Sequence, residues 1–347
     1  MRSHSPAPNT VTSNTVTPDN VTPNIAPANI AVVGAGAIGM LIYHQLNAFT
    51  QPLLLGRNFT LADAENQTQP LTFEALSSDV KPNNVVNVHT EPCLVNNLKT
   101  VTPKQLACIE LVIVCVKSYQ VEAALTALID KLPHNATLLL LHNGMGPHLQ
   151  VMALLASQQR TDINLYLGTT SQAAIKVTER HVRQTGTGKT VFGHFHGHKL
   201  TPQLIELLVT AIPNSQISDN ILLGLWQKLI VNCAINPITA IEQCPNGQLA
   251  QPQYQQQINA ITTECVAVAN AEGITISLSE SLETIAQVIT LTANNFSSMH
   301  QDVKYQRMTE IAQINGFVAA RAGVHQIKTP ANNAMTDKIN QLTQPDL

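Results

Sequence analysis

Asn29 to Phe49 read NIAVVGAGAIGMLIYHQLNAF: a short apolar run of β type, a glycine turn, then apolar residues at helical spacing. A strand that enters a helix through glycines opens a βαβ unit, and Gly34, Gly36 and Gly39 give that turn the spacing G-x-G-x-x-G. Each glycine has a physical task. Gly34 permits the tight turn, Gly36 lets the backbone approach a pyrophosphate, and Gly39 lets helix and strand pack closely. Ala35, Ala37 and Ile38 complete a loop whose N–H groups, at a helix N-terminus, attract a phosphate. This segment predicts dinucleotide binding.

The pattern continues outward on the C-terminal side. PLLLG is a second strand, LVIVCV (Leu111 to Val116) another, QVEAALTALIDKL a helix bounded by Pro133, and TLLLLHNGMG a strand ending in a second glycine turn. Continuous apolar strands alternating with helices indicate a parallel sheet covered on both faces. YLGTTSQAAIKV and GKTVFGHF read as further strands of the same sheet, and after ISDNI helical periodicity takes over to about Ala322. The expected fold is a Rossmann-like α/β domain at 29–218, followed by an all-α domain at 219–330 that carries substrate and catalysis. Residues 331–347 read as a last helix and tail, and the Pro/Thr/Asn-rich residues 1–28 as a disordered tail.

Composition narrows the partners. A chain of 347 residues with 44% hydrophobic and 12% charged residues has room for two packed domains. A formal net charge of -3 offers no basic field to nucleic acid and no polybasic patch to an anionic membrane, so a small molecule is the expected partner. The unbroken apolar runs fall short of the roughly 18 residues that a membrane span needs. Six cysteines without C-x-x-C spacing suit a reducing compartment, and a cytoplasmic location is expected.

The cofactor's identity turns on the end of the second strand. LLLGRNF places Arg57 there and no acid, which favours the 2′-phosphate of NADP over the bare ribose of NAD. Lys117 follows LVIVCV and Asn143 follows LLLLH, so both stand at carboxyl ends of strands, where open α/β sheets bind ligands.

A second constellation lies in LWQKLIVNCAINPITA, Leu225 to Ala240. Asn232 falls about 40° and Asn236 about 80° around the helix from Lys228, a polar stripe set in an otherwise apolar helix. Buried ammonium and amide groups need partners, and a ligand can supply them. Pro237 is expected to end or kink the helix at Asn236, with Asn246 in the turn CPNG returning toward the same cleft. His194, His196 and His198 alternate like one face of a strand, but hydride transfer with a lysine as acid needs no metal, and none is expected there.

With both halves read, the chain resembles the ketopantoate reductases from about Asn29 to Ala322. The resemblance rests on VVGAGAIG, Lys117, HNGMG, LGTTSQAA, LWQKLIVNCAINPITAIEQCPNG and SSMHQD followed by TEIAQINGF. It implies NADPH-dependent reduction of 2-dehydropantoate (ketopantoate) to pantoate on the route to pantothenate, by a monomer or homodimer. It further implies that Lys228 and Glu310 are catalytic, and that Asn143, Asn232, Asn236, Asn246 and Ser298 hold ketopantoate. Gly34, Ala35, Gly36, Ala37, Ile38, Gly39, Arg57, Lys117, Asn143, Ala174 and Glu310 would then contact the cofactor. Glu310 should help keep the Lys228 ammonium charged at neutral pH even when it is partly desolvated.

The family often has glycine where this chain reads VKYQRM, and an acid where it has Ala312. Ser298 and Glu310 are 12 residues apart, about 18 Å in a continuous helix, so a break is expected before Thr309, which would cap a new helix at Glu310. A related reductase of another 2-oxo or 3-hydroxy acid, or an NADP-binding regulator without catalysis, shares most of these features.

Overall fold

The computed structural model describes residues 30–57, 59, 67–76 and 88–343. The N-terminal tail and residues 344–347 lie outside the described residues. The first half supplies β1 (Ile30–Val33), α1 (Ala37–Asn47), β2 (Leu53–Gly56), β3 (Gln67–Glu74), β4 (Val88–Asn97), α2 (Pro103–Leu106), β5 (Leu111–Val114), α3 (Val121–Thr126), β6 (Thr137–Leu141) and α4 (Pro147–Ser157). Then come β7 (Asn164–Thr170), β8 (Ala173–Thr178), β9 (His181–Gly186), β10 (Thr190–His196), α5 (Pro202–Ala211) and β11 (Ser215–Ile217).

Six parallel strands in the order β4-β2-β1-β5-β6-β7 form the centre of the sheet. That is the doubly wound order, with the switch point between β1 and β5. β1, β2, β5 and β6 are buried along their whole length, the cause of their continuous apolar reading. Their side chains alternate between two cores. Val33, Leu55, Val114 and Leu140 face one, and Val32, Leu54, Ile113 and Leu139 face the other with α1 and α5.

Both edges are extended. β10 pairs antiparallel with β7 and parallel with β11, while β3, β9 and β8 continue the sheet beyond β4. YLGTTSQAAIKV is therefore two strands at opposite ends of the sheet, β7 and β8. Sequence patterning did not disclose β3, β4 and β9. β3 and β4 pair with Pro70 opposite Pro92, and most of β4's first half is exposed, so neither strand has an uninterrupted apolar signal.

The helical half comprises α6 (Ile221–Glu242), α7 (Pro252–Ala271), α8 (Leu278–Leu291), α9 (Ser298–Lys304), α10 (Asn315–Val324) and α11 (Pro330–Thr343). Its core is continuous with one face of the sheet. α6 is its central helix, and among the described residues it is the one helix long and apolar enough to cross a membrane; most of that apolar window is buried inside the fold.

Pro237 neither ends nor breaks α6, which runs on to Glu242 and closes at Gln243 in the left-handed region (φ 48°). The helix does not end there, for a long-range reason. A proline at 237 leaves the carbonyl of Cys233 without its helical donor, and Asn315 Nδ2 donates to that oxygen at 3.2 Å. Asn315 is fully buried and also donates to Asn332 Oδ1 at 2.9 Å; Asn332 in turn donates to Glu264 Oε2 at 2.7 Å. A polar strut from α7, α10 and α11 thus replaces the missing bond.

Candidate active site

The β1–α1 turn has the geometry of a phosphate cradle. Gly34 has φ +112°, and a Cβ at Gly39 would stand 1.8 Å from the Gly34 carbonyl oxygen, so turn and helix close on each other only because both are glycine. At Gly36, by contrast, an added Cβ would meet nothing within 4 Å. Gly36 is the N-cap of the 11-residue α1, no side chain caps it, and no acid occupies the first turn. The first N–H groups therefore open onto a cleft of about 1200 Å³, lined here by Gly34, Ala35, Gly36, Ala37 and Ile38. Gly39 is buried below the lining. An open, donor-rich helix end fits a dinucleotide's pyrophosphate.

Arg57 lines the same cleft at the end of β2, and Ala174 on β8 lines it too. Beside Arg57 stands a second cation, Lys99. The end of β4 brings them together: Leu98 N–H donates to Gly56 O at 3.1 Å, and Asn97 Nδ2 donates to Arg57 O at 3.2 Å. Both line the cleft, and neither is in an ion pair among the described residues.

The wall across the switch point joins the two halves of the molecule. Lys117 Nζ lies 2.8 Å from Asp302 Oδ2 and 3.6 Å from Glu310 Oε2. Glu310 Oε1 accepts from Ser118 N–H at 2.9 Å and from Ser118 Oγ at 2.8 Å. Burial works to lower the Lys117 pKa, but the Glu310 and Asp302 carboxylates outweigh it and hold the ammonium above the usual lysine value. Arg307 joins Asp302 from its other side at 3.1 Å. One turn onward, Gly144 (φ +74°) in HNGMG lets Met145 N–H reach Gln313 O at 2.8 Å; a Cβ at Gly144 would sit 2.5 Å from that oxygen.

The helix breaks between Ser298 and Glu310, as the spacing requires, but not as expected. α9 ends at Lys304, Gln306 turns through φ +52°, and Glu310 precedes a single 3₁₀ turn (Ile311–Gln313). No α-helix starts at Glu310, and Thr309 caps nothing; α10 begins at Asn315. Held by Ser118, Glu310 is fixed by the sheet-end loop and not by a helix of its own. Both Ser298 and Glu310 line the cleft.

Lys228 extends from α6 toward the cleft wall without being one of its lining residues. Its Nζ donates to Asn143 Oδ1 at 2.9 Å and to Thr170 O at 2.8 Å, and both of those residues line the cleft. Both partners are neutral. Burial pushes the Lys228 pKa down to about 8, with Glu310 opposing the shift only in part. The ammonium therefore stays mostly charged at neutral pH, as expected, although no carboxylate lies within ion-pair distance of Lys228 among the described residues.

Thr239 continues the stripe, about 20° around α6 from Lys228 and about 16 Å along it. Its Oγ1 contacts Ser297 Oγ at 2.8 Å, next to the cleft residue Ser298. The stripe is thus tied to the cleft wall at both ends, with Asn232 and Asn236 between. Neither amide hydrogen-bonds through its side chain to a described residue; Asn236 is buried and Asn232 half-buried. Asn246 lies a layer behind the lining: its backbone N–H donates to the cleft residue Asn295, its Nδ2 donates to Thr292 Oγ1 at 2.9 Å, and its buried Oδ1 has no partner among the described residues.

Residues 30–197 match the family model "Ketopantoate reductase PanE/ApbA", and residues 220–343 match "Ketopantoate reductase PanE/ApbA C terminal". A 2-dehydropantoate 2-reductase of Vibrio cholerae is 40% identical over 236 residues, covering 68% of this chain and 78% of that protein. The chain belongs to the ketopantoate reductase family. The Shigella flexneri 2-dehydropantoate 2-reductase is 35% identical over 261 residues, covering 73% of this chain and 81% of its own. Among solved structures, a PanE/ApbA family ketopantoate reductase from Ralstonia eutropha JMP134 has TM-score 0.75 at 26% identity, covering 91% of this chain and 98% of that one. A D-mandelate dehydrogenase with NADH and anilino(oxo)acetate shares the fold, with TM-score 0.76 at 22% identity and coverage of 91% and 98%.

Four polar contributors to this ketopantoate reductase site were not foreseen: Lys99, Ser118, Asp302 and the carbonyl of Thr170. Asp302 and Thr170 stand inside motifs that carry the resemblance, SSMHQD and LGTTSQAA, and position in a motif was the available signal. The histidines of HFHGH do not form a ligand set. A register shift separates His194 from His196, His194 Nε2 bonds Gly197 O, and His198 lies beyond the strand.

Proposed function

We propose that the protein is a cytoplasmic NADPH-dependent reductase of 2-dehydropantoate, making pantoate for pantothenate and coenzyme A synthesis, with Lys228 as proton donor. The observation that carries this reading is the state of the α6 stripe. An ammonium has three N–H donors, and Lys228 gives two to Asn143 and Thr170. The third remains for a ligand oxygen. Asn232 and Asn236, without partners among the described residues, supply further amides on the same edge of the helix.

The cofactor-binding unit is 29–218 and the substrate unit 219–330. The glycine turn, Ala35, Ala37, Ile38, Lys117, Asn143, Ala174 and Glu310 hold NADPH, with Arg57 and Lys99 receiving its 2′-phosphate. When bound, NADPH supplies the hydride to C2 of the 2-oxo acid. Negative charge then builds on the carbonyl oxygen, and the Lys228 ammonium stabilises it and delivers the proton. A pKa near 8 suits an acid that must be charged at neutral pH yet part with its proton readily. Asn232, Asn236 and Ser298 orient the carboxylate and hydroxyl, with Asn246 supporting them through Asn295. Glu310 sets the field at Lys228.

The test follows NADPH and NADH oxidation spectrophotometrically with ketopantoate and with 2-oxoisovalerate, which lacks the hydroxymethyl arm. Higher kcat/KM for ketopantoate with NADPH is the expected result. Preference for 2-oxoisovalerate would transfer the assignment to another 2-oxo acid, and tight NADPH binding without turnover would indicate a regulator.

A further inference from the structure

Away from the cleft, three metal-ligating side chains converge between α1 and β4. His89 and Glu91 are two residues apart on β4 and so project from one face of the strand. His44 descends from α1, its side chain 1% exposed, with Nδ1 2.5 Å from Glu91 Oε1. One ligand atom from each of His44, His89 and Glu91 lies within 4.8 Å of the others. Phe73, paired with His89 across the β3–β4 ladder, stacks on His44 with ring centroids 5.0 Å apart and meets His89 edge-on at 5.3 Å. The two imidazole planes stand at 86° with centroids 6.1 Å apart.

A hydrogen-bonded His44–Glu91 pair alone does not account for this arrangement. If Nδ1 carries the proton, the lone pair of Nε2 is left buried, and Nε2 has no partner among the described residues. If Nε2 carries it, two lone pairs face each other across the short contact with Glu91. A cation between imidazole and carboxylate removes that repulsion.

We propose that His44, His89 and Glu91 form a divalent transition-metal site that clips α1 to β4. Two imidazoles and a carboxylate suit zinc, with bonds of about 2.0–2.2 Å and ligand atoms about 3.4 Å apart in a tetrahedron. The buried His44 anchors the site. Glu91 and the exposed His89 adjust to it, Glu91 drawing back by about 1 Å to reach tetrahedral spacing, and water completes the coordination from the open side. The site lies outside the reductase cleft and is independent of that activity. It fastens the helix whose opposite end forms the phosphate cradle.

The experiment uses the untagged full chain, stripped with chelator and titrated with Co²⁺ under visible absorption, with Zn²⁺ as competitor. Binding of one Co²⁺ per chain with an intense d–d band of low coordination number, displaced by Zn²⁺, is expected. His89→Phe keeps the aromatic contact with Phe73 and the His44–Glu91 contact while removing one ligand. It should weaken Co²⁺ binding at least about 100-fold and abolish any rise in Tm with Zn²⁺. Its metal-free Tm and NADPH turnover should match those of the stripped parent. Glu91→Gln should weaken binding likewise. No band in the parent chain, or equal affinity in parent and His89→Phe, would overturn the proposal.

Discussion

Lys117 and Lys228 feel the same carboxylate, Glu310, and respond in opposite directions. Lys117 has Asp302 at 2.8 Å and Glu310 at 3.6 Å, and its pKa rises in spite of burial. Lys228 rests on an amide oxygen and a peptide carbonyl, and burial takes its pKa down to about 8. Direct charge pairing outweighs desolvation at the first lysine; neutral acceptors do not at the second. Lys117 is consequently a fixed cation that ties the sheet to the helical half, whereas Lys228 can exchange its proton near neutral pH.

Substitutions break this contrast in graded ways. Lys228→Ala should lower kcat at least about 100-fold while NADPH still binds, since it removes the proposed acid and the charge proposed to stabilise the oxyanion. Near-normal turnover in stopped-assay kinetics would refute its role. Lys117→Ala should act mainly on binding, raising the KM for NADPH about 10-fold with a much smaller change in kcat. A kcat loss as large as that of Lys228→Ala would make the two lysines equivalent. Arg57→Ala should weaken NADPH by about 10-fold and NADH hardly at all, with Lys99→Ala following in the same direction but more weakly. Equal losses for both nucleotides, measured by fluorescence titration, would remove them from the 2′-phosphate.

The smallest effect concerns the support beneath the stripe. Asn315→Leu leaves the Cys233 carbonyl without a donor at Pro237 and should cost about 1–3 kcal/mol of stability in denaturant unfolding. An unchanged midpoint would mean that the carbonyl finds another donor.

The same division between local and distant partners governs what the sequence disclosed. The buried strands around the switch point and the cradle of Gly34, Gly36 and Gly39 depend on neighbours in the chain, and their pattern was readable. So was the Lys228–Asn232–Asn236 stripe, which follows from helical period alone. β3 and β4 were not, because facing prolines and exposed positions interrupt their alternation. Pro237 does not end α6 because its compensation comes from Asn315, on another helix. Glu310 was misplaced for a similar reason: its conformation is set by Ser118, 192 residues away in the chain. The size of the downward shift at Lys228 was not readable, because Glu310 is engaged with Ser118 and Lys117 and raises the Lys228 pKa only in part.

The pH dependence of kcat/KM for ketopantoate at fixed NADPH measures the free enzyme's proton donor directly. With Lys228 as the proposed proton donor, activity should be flat on the acid side of its pKa and fall tenfold per pH unit above about 8. Glu310 raises that pKa, so Glu310→Gln should move the alkaline limb to lower pH, while Lys117→Ala should leave it near 8. A limb that begins only near the ordinary lysine value, or one that stays in place in Glu310→Gln, would contradict Lys228 as the buried proton donor.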